Sequence, residues 1–182
     1  MPLPPLEQTQ QQYINAFNRY KTNTERNNQA LKNYIIKQIF NNYDVGIIAR
    51  KDDNFRDINK LYIETFTKIN SEEEYIPSEL YTNKDTWLYC IGDQQTIWIF
   101  GCKQLKELLR PSSMKCKFKN TIFGFDFGEY EDCFDNCDDW LECRITKDRN
   151  YELKTSVVSK GYMMPIEDAD KFCLKKVEVE GK

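Results

Sequence analysis

The sequence predicts an α+β domain, with N-terminal helices packed on a mixed central sheet. Three observations lead there. Apolar residues recur at helical spacing before Tyr43 and at alternating spacing after it. Residues 85–110, DTWLYCIGDQQTIWIFGCKQLKELLR, read as a β-hairpin running into a short amphipathic helix. The 40 % apolar and 14 % aromatic fractions suffice for a core, which excludes a fully disordered chain.

The elements follow in order. Pro2, Pro4, Pro5 and the Gln-rich stretch after them form a lead-in, and Tyr13, Ile14, Phe17 and Tyr20 then recur at helical spacing. Residues 1–21 therefore read as a lead-in with a helical extension, and residues 22–182 as one domain. Thr22 and Glu25 have the spacing of a capping box, and Leu31, Tyr34, Ile35 and Ile39 mark a second amphipathic helix. No Gly or Pro separates the two, so one long helix is the alternative. Residues 45–49 are the first predicted strand, 51–54 a polar turn, and 59–69 a second strand rich in β-branched and aromatic residues. Residues 71–74 are an acidic connection. In the hairpin, Leu88, Cys90, Ile97 and Ile99 lie in two apolar runs joined by Gly92-Asp93-Gln94-Gln95. Leu105, Leu108 and Leu109 follow at helical spacing, and Pro111 stops the helix. Residues 115–119, 121–127, 140–146 and 151–159 are predicted short strands. Residues 161–165 lead into a helix near 167–173, and 176–180 form an edge strand.

Composition excludes several chemistries. The chain has no histidine, which removes a Ser-His-Asp triad, a Cys-His dyad, an HExxH zinc site and any histidine general base. Catalysis would have to use carboxylates, Lys, Tyr or Cys. The net charge of −3 means that attraction to nucleic acid needs a local basic patch. No stretch is long and apolar enough for a transmembrane helix. Seven cysteines, an odd count, and a Pro/Gln-rich start unlike a secretory leader predict a reducing, cytoplasmic setting with free thiols.

Four segments carry a family resemblance: Leu61-Tyr62-Ile63-Glu64-Thr65, then Lys84-Asp85-Thr86-Trp87-Leu88-Tyr89 with Ile97-Trp98-Ile99-Phe100, then Leu105-Lys106-Glu107-Leu108-Leu109, and Gly161-Tyr162-Met163-Met164-Pro165-Ile166. In order and hydrophobic pattern, residues 25–175 resemble the small PD-(D/E)xK nucleases of phage, mobile-element and cyanobacterial type. The resemblance implies a restriction-endonuclease-like fold and nucleic acid as substrate or ligand. It also implies Mg²⁺ held by an Asp and a Glu, with a Lys that orients or activates the attacking water. The best matches are Asp57 and Glu64 as the metal carboxylates, with Glu25 on the preceding helix as an accessory. The family lysine stands two positions after the Glu, where this chain has Phe66, and the nearest lysine on that face is Lys68. Four positions along a strand span about 13 Å, against about 6.6 Å for the i, i+2 pair. A β-bulge shortens that gap in part. The implied catalytic set is thus Asp57, Glu64 and Lys68, rebuilt or lost. Each residue also has a plainer reading: Glu64 as a surface carboxylate, Asp57 as the end of a turn, Glu25 as a helix-cap partner.

Two further segments attract chemistry. From Asp126 to Glu142 stand eight carboxylates without Lys or Arg, interleaved with Phe127, Tyr130, Phe134 and Trp140. Loop 126–142 reads as a solvated acidic loop, or as a surface whose aromatics anchor a basic protein partner. Cys116, Cys133, Cys137 and Cys143 are an alternative zinc set, although their spacing lacks paired CxxC knuckles. Lys115, Lys117 and Lys119 alternate with Met114, Cys116 and Phe118, placing three lysines on one strand face. That stripe suits nucleic-acid phosphates, or is the solvent side of an antiparallel sheet. Two functions therefore stand: a nuclease-like nucleic-acid-processing or nucleic-acid-binding protein, metal-dependent if active, or a non-enzymatic protein-binding subunit using loop 126–142. They part on whether Asp57, Glu64 and a lysine amine converge.

Overall fold

The computed structural model describes residues 5–71, 73–109 and 151–179. The chain divides into two compact units, Met1–Cys102 with Glu152–Lys182, and Lys103–Tyr151. The second contributes most of one short helix, α4 (Cys102–Leu109), in which Leu105, Leu108 and Leu109 are buried as their spacing predicts. Everything else below belongs to the first unit.

Helix α1 (Pro5–Gln38) runs without interruption through residues 21 and 22. Thr22 and Glu25 lie inside it, so they form no capping box. The neighbouring Thr24 hydroxyl instead donates back to the Tyr20 carbonyl at 3.0 Å. Phe17, Lys21, Thr24, Asn28, Leu31 and Ile35 fall four and three residues apart, which makes one stripe on a helix. The stripe is apolar and buried at both ends and polar in the middle, where Lys21, Thr24 and Asn28 are half-buried. That polar interval is what divides the sequence pattern into two helices. Among the described residues, no helix is long and apolar enough to cross a membrane.

The strands form two four-stranded sheets in place of one central sheet. The first has the order β1-β4-β5-β8, from β1 (Ile47–Lys51), β4 (Leu88–Gly92), β5 (Thr96–Gly101) and β8 (Lys175–Glu178). It is mixed: β1 is parallel to β4, while β4–β5 and β5–β8 are antiparallel. The expected hairpin therefore sits inside a sheet, and the expected C-terminal strand is its edge. Ile47, Ala49, Cys90, Ile97 and Ile99 share one face and pack on Leu31 and Ile35 of α1. The second sheet, β3-β2-β7-β6, is antiparallel throughout. It comprises β2 (Lys60–Thr67), β3 (Ile76–Pro77), β6 (Glu152–Thr155) and β7 (Ser159–Pro165).

Residues 159–165 are thus a full strand, where only a lead into a helix was expected. Gly161 permits the pairing, because a Cβ there would lie 2.5 Å from the Ile63 carbonyl oxygen. The chain then enters α5 (Ile166–Phe172).

The turn between β1 and β2 explains why these consecutive strands enter different sheets. Helix α2 (Phe55–Ile58) ends on Asn59 in the left-handed conformation, which redirects the chain. The buried Asp52 carboxylate holds both sides of the turn, accepting from the Asn54 N–H and the Tyr62 N–H at 3.0 Å each. Asp52→Ala leaves two amides without that acceptor and is expected to cost about 1–3 kcal/mol. Asp52→Asn, which keeps one acceptor oxygen, should cost less. Urea denaturation of both variants checks the order, and equal losses would mean that packing, not the two hydrogen bonds, holds the turn.

Candidate functional site

Alternation along β1 puts Ile47 and Ala49 toward α1, and Ile48 and Arg50 on the opposite face. The parallel register sets Ile48 beside Tyr89, so Arg50 and Tyr89 share that face. Glu64 comes from β2. Ser78 binds the start of α3 (Glu79–Thr82) to β2, donating its hydroxyl to the Glu64 carbonyl at 3.0 Å and its N–H to the Thr65 carbonyl at 2.8 Å. Glu79 is thereby carried to the same place as Glu64. The Arg50 guanidinium bridges the two carboxylates, with Nη2 3.5 Å from Glu64 Oε1 and 3.3 Å from Glu79 Oε2.

Arg50 and Glu64 are poorly solvated, whereas the Glu79 side chain is more exposed. Burial opposes the Arg50 charge, but Tyr89, Glu64 and Glu79 together outweigh it and hold the guanidinium above its ordinary pKa. Burial raises the Glu64 pKa, against the downward pull of Arg50 and the Ser159 hydroxyl. Tyr89 is fully buried, and burial pushes its phenol pKa up. Among the described residues, Arg50 Nε is buried without a hydrogen-bond partner.

Above this floor lies a cavity of about 390 Å³, walled by the polar interval of α1, by β1 and by the end of β2. A β-bulge decides which β2 residues reach it. The register with β7 slips between Glu64 and Phe66, and Thr65 is buried with its hydroxyl donating to the Lys160 carbonyl. The slip changes the parity of the strand. Thr67, not Phe66, follows Glu64 onto the cavity wall, and Lys68 lies beyond it.

Of the sequence-predicted residues, Glu64, Lys68 and Glu25 line this cavity together. Asp57 does not; it is exposed in the first turn of α2. The carboxylate brought beside Glu64 is Glu79, and Arg50 bridges them. Among the described residues, no group of three or more Cys, Asp or Glu side chains is placed to hold a metal ion. A site with a guanidinium between its two carboxylates does not fit Mg²⁺. Lys115, Lys117, Lys119, Cys116, Cys133, Cys137, Cys143 and loop 126–142 lie outside the described residues. Of the described thiols, Cys90 is buried and its pKa is pushed up to about 12 by burial and by the nearby Cys102, so it stays protonated.

Sequence reasoning missed Arg50, Glu79 and Tyr89. Little in the sequence marks them: Arg50 only ends the apolar run 45–49 and is followed by Lys51, Asp52 and Asp53, as at an ordinary strand end. Compared with known proteins, the chain matches no family model, no curated protein and no solved structure.

Proposed function

We propose that the chain is a nucleic-acid-binding protein of nuclease-like build that binds its ligand without metal-dependent hydrolysis. The observation that carries this reading is the Arg50 guanidinium bridging Glu64 and Glu79. Hydrolysis of a phosphodiester by two carboxylates uses them to hold a divalent cation. Here a guanidinium already stands between them and offsets one of their two charges. Lys21 and Lys68 on the cavity wall supply positive charge for a phosphate backbone. The setting proposed is the reducing cytoplasm, where the described thiols Cys90 and Cys173 are free.

The test is fluorescence anisotropy with labelled single-stranded DNA, duplex DNA and RNA, in Mg²⁺ or in EDTA, with gels run in parallel. The expected result is binding that does not require Mg²⁺ and no cleavage under either condition. Cleavage in Mg²⁺ or Mn²⁺ that Glu64→Gln abolishes would overturn the reading in favour of an active nuclease. Failure to bind any of the three would favour the second reading, a protein-binding subunit. That reading draws on Trp87 and Tyr43, which are 75 % and 74 % exposed. Both are side-chain types that anchor protein interfaces.

A further inference from the structure

Two lysines share one aromatic ring where β2 ends, and a third binds the backbone there. The β2–β7 register sets Lys160 opposite Phe66, and the Lys68 N–H donates to the Val158 carbonyl at 2.8 Å, which brings the two strands' lysines side by side. Both engage Tyr75: Lys68 Nζ lies 4.8 Å and Lys160 Nζ 4.3 Å from its ring centre. The Tyr75 hydroxyl donates to the Ser156 carbonyl at 2.6 Å, which fixes the ring. Lys21 reaches across from α1 and donates to the carbonyls of Lys68, at 3.1 Å, and Ile69.

Among the described residues, none of these three lysines forms an ion pair with a carboxylate. Lys32, Lys51, Lys60 and Lys176 each do. Like charges sharing one aromatic ring repel, and an anion placed among them relieves the repulsion.

We infer that Lys21, Lys68 and Lys160 form a phosphate-contact surface for the sugar-phosphate backbone of a nucleic acid. The inference rests on the proposed function and says where and how the ligand is held. The Tyr75 ring is taken by two ammoniums, so this surface offers phosphate contacts rather than a stacking platform. Binding here is therefore indifferent to base sequence and sensitive to salt.

The experiment measures the affinity of the full chain for a labelled DNA duplex as salt is raised. Three phosphate contacts should weaken binding about 40-fold between about 50 and about 200 mM salt, and one remaining contact about 3- to 4-fold. The expected result is the steep dependence for the wild type and the shallow one for Lys68→Gln/Lys160→Gln. Lys60→Gln, which removes a lysine already paired with Glu152, should keep the steep dependence. The double variant loses two cation–π contacts as well as a repulsion, so its melting temperature serves as the check that it folds; unchanged salt dependence in the folded variant would assign the lysines a structural role and overturn the inference. Duplex binding with the wild-type salt dependence in the double variant would overturn this surface and leave the proposed function standing. Equal weakening by Lys60→Gln would reduce the effect to overall charge and also overturn it. A wild type that binds no nucleic acid removes both readings together.

Discussion

Arg50→Ala is expected to destabilise the protein by about 2–4 kcal/mol near neutral pH. Removing one partner of a buried ion pair leaves the other charge without compensation, which costs about 3–5 kcal/mol where solvent is excluded. The Arg50 and Glu64 side chains are 19 % and 17 % exposed, so water screens part of that cost. The variant carries its own control through Glu64. Burial already raises the folded-state pKa of this carboxyl, with Glu79 and the Tyr62 and Tyr89 hydroxyls around it, and Arg50 is the main influence lowering it. A carboxyl whose folded pKa is raised binds its proton more tightly in the folded state. Its contribution to stability is present below the unfolded pKa and is lost as pH rises through the folded pKa. Without Arg50 the folded pKa rises further, so the deficit of the variant should shrink on going from pH 7 to pH 5. Glu64→Gln in the Arg50→Ala background should recover stability at pH 7 by removing the charge outright. Urea melts at both pH values check this. A deficit that does not change with pH would mean that Arg50 acts through packing rather than through Glu64.

Trp98→Ala is the second large effect, expected at about 3–5 kcal/mol. Trp98 stands on β5, an inner strand of the mixed sheet, and is 1 % exposed. Its ring meets Phe55 edge-on at 4.9 Å, and its indole N–H donates to Asp170 Oδ1 at 2.6 Å. The side chain therefore ties α2 and α5 to the face of the sheet that α1 leaves free. Truncation opens a cavity that neighbouring backbone cannot close. Trp98→Phe keeps most of the apolar volume and loses the indole hydrogen bond, for about 1–2 kcal/mol. The Asp170 carboxylate retains Lys176 at 3.3 Å in either variant. Chemical denaturation should rank Ala well below Phe. Equal losses would assign most of the stabilisation to the hydrogen bond instead of the buried ring.

Several features of the fold were legible in the sequence because local physics dictates them. The hairpin across Gly92–Gln95 and the burial of Leu105, Leu108 and Leu109 follow from periodicity and turn residues. The C-terminal edge strand follows from a short alternating run. The site was legible only in part. Glu64 and Lys68 were singled out and do share a cavity wall, whereas Asp57 lies away from it on an exposed turn. Spacing along one strand cannot foresee a bulge. The slip at Thr65 turns Thr67 inward where regular alternation would have placed Phe66.

By itself the sequence determined the N-terminal helical run, the hairpin with the amphipathic helix after it, and the absence of histidine chemistry, because propensity and composition act locally. Only the tertiary structure decided that α1 is one helix whose polar interval walls a cavity, that β1 and β2 belong to different sheets, and that Glu79 rather than Asp57 stands beside Glu64. These are long-range matters. They depend on which strand pairs with which and on where Ser78 ties α3, and a single side chain in sequence carries no record of the partner that packing will bring to it.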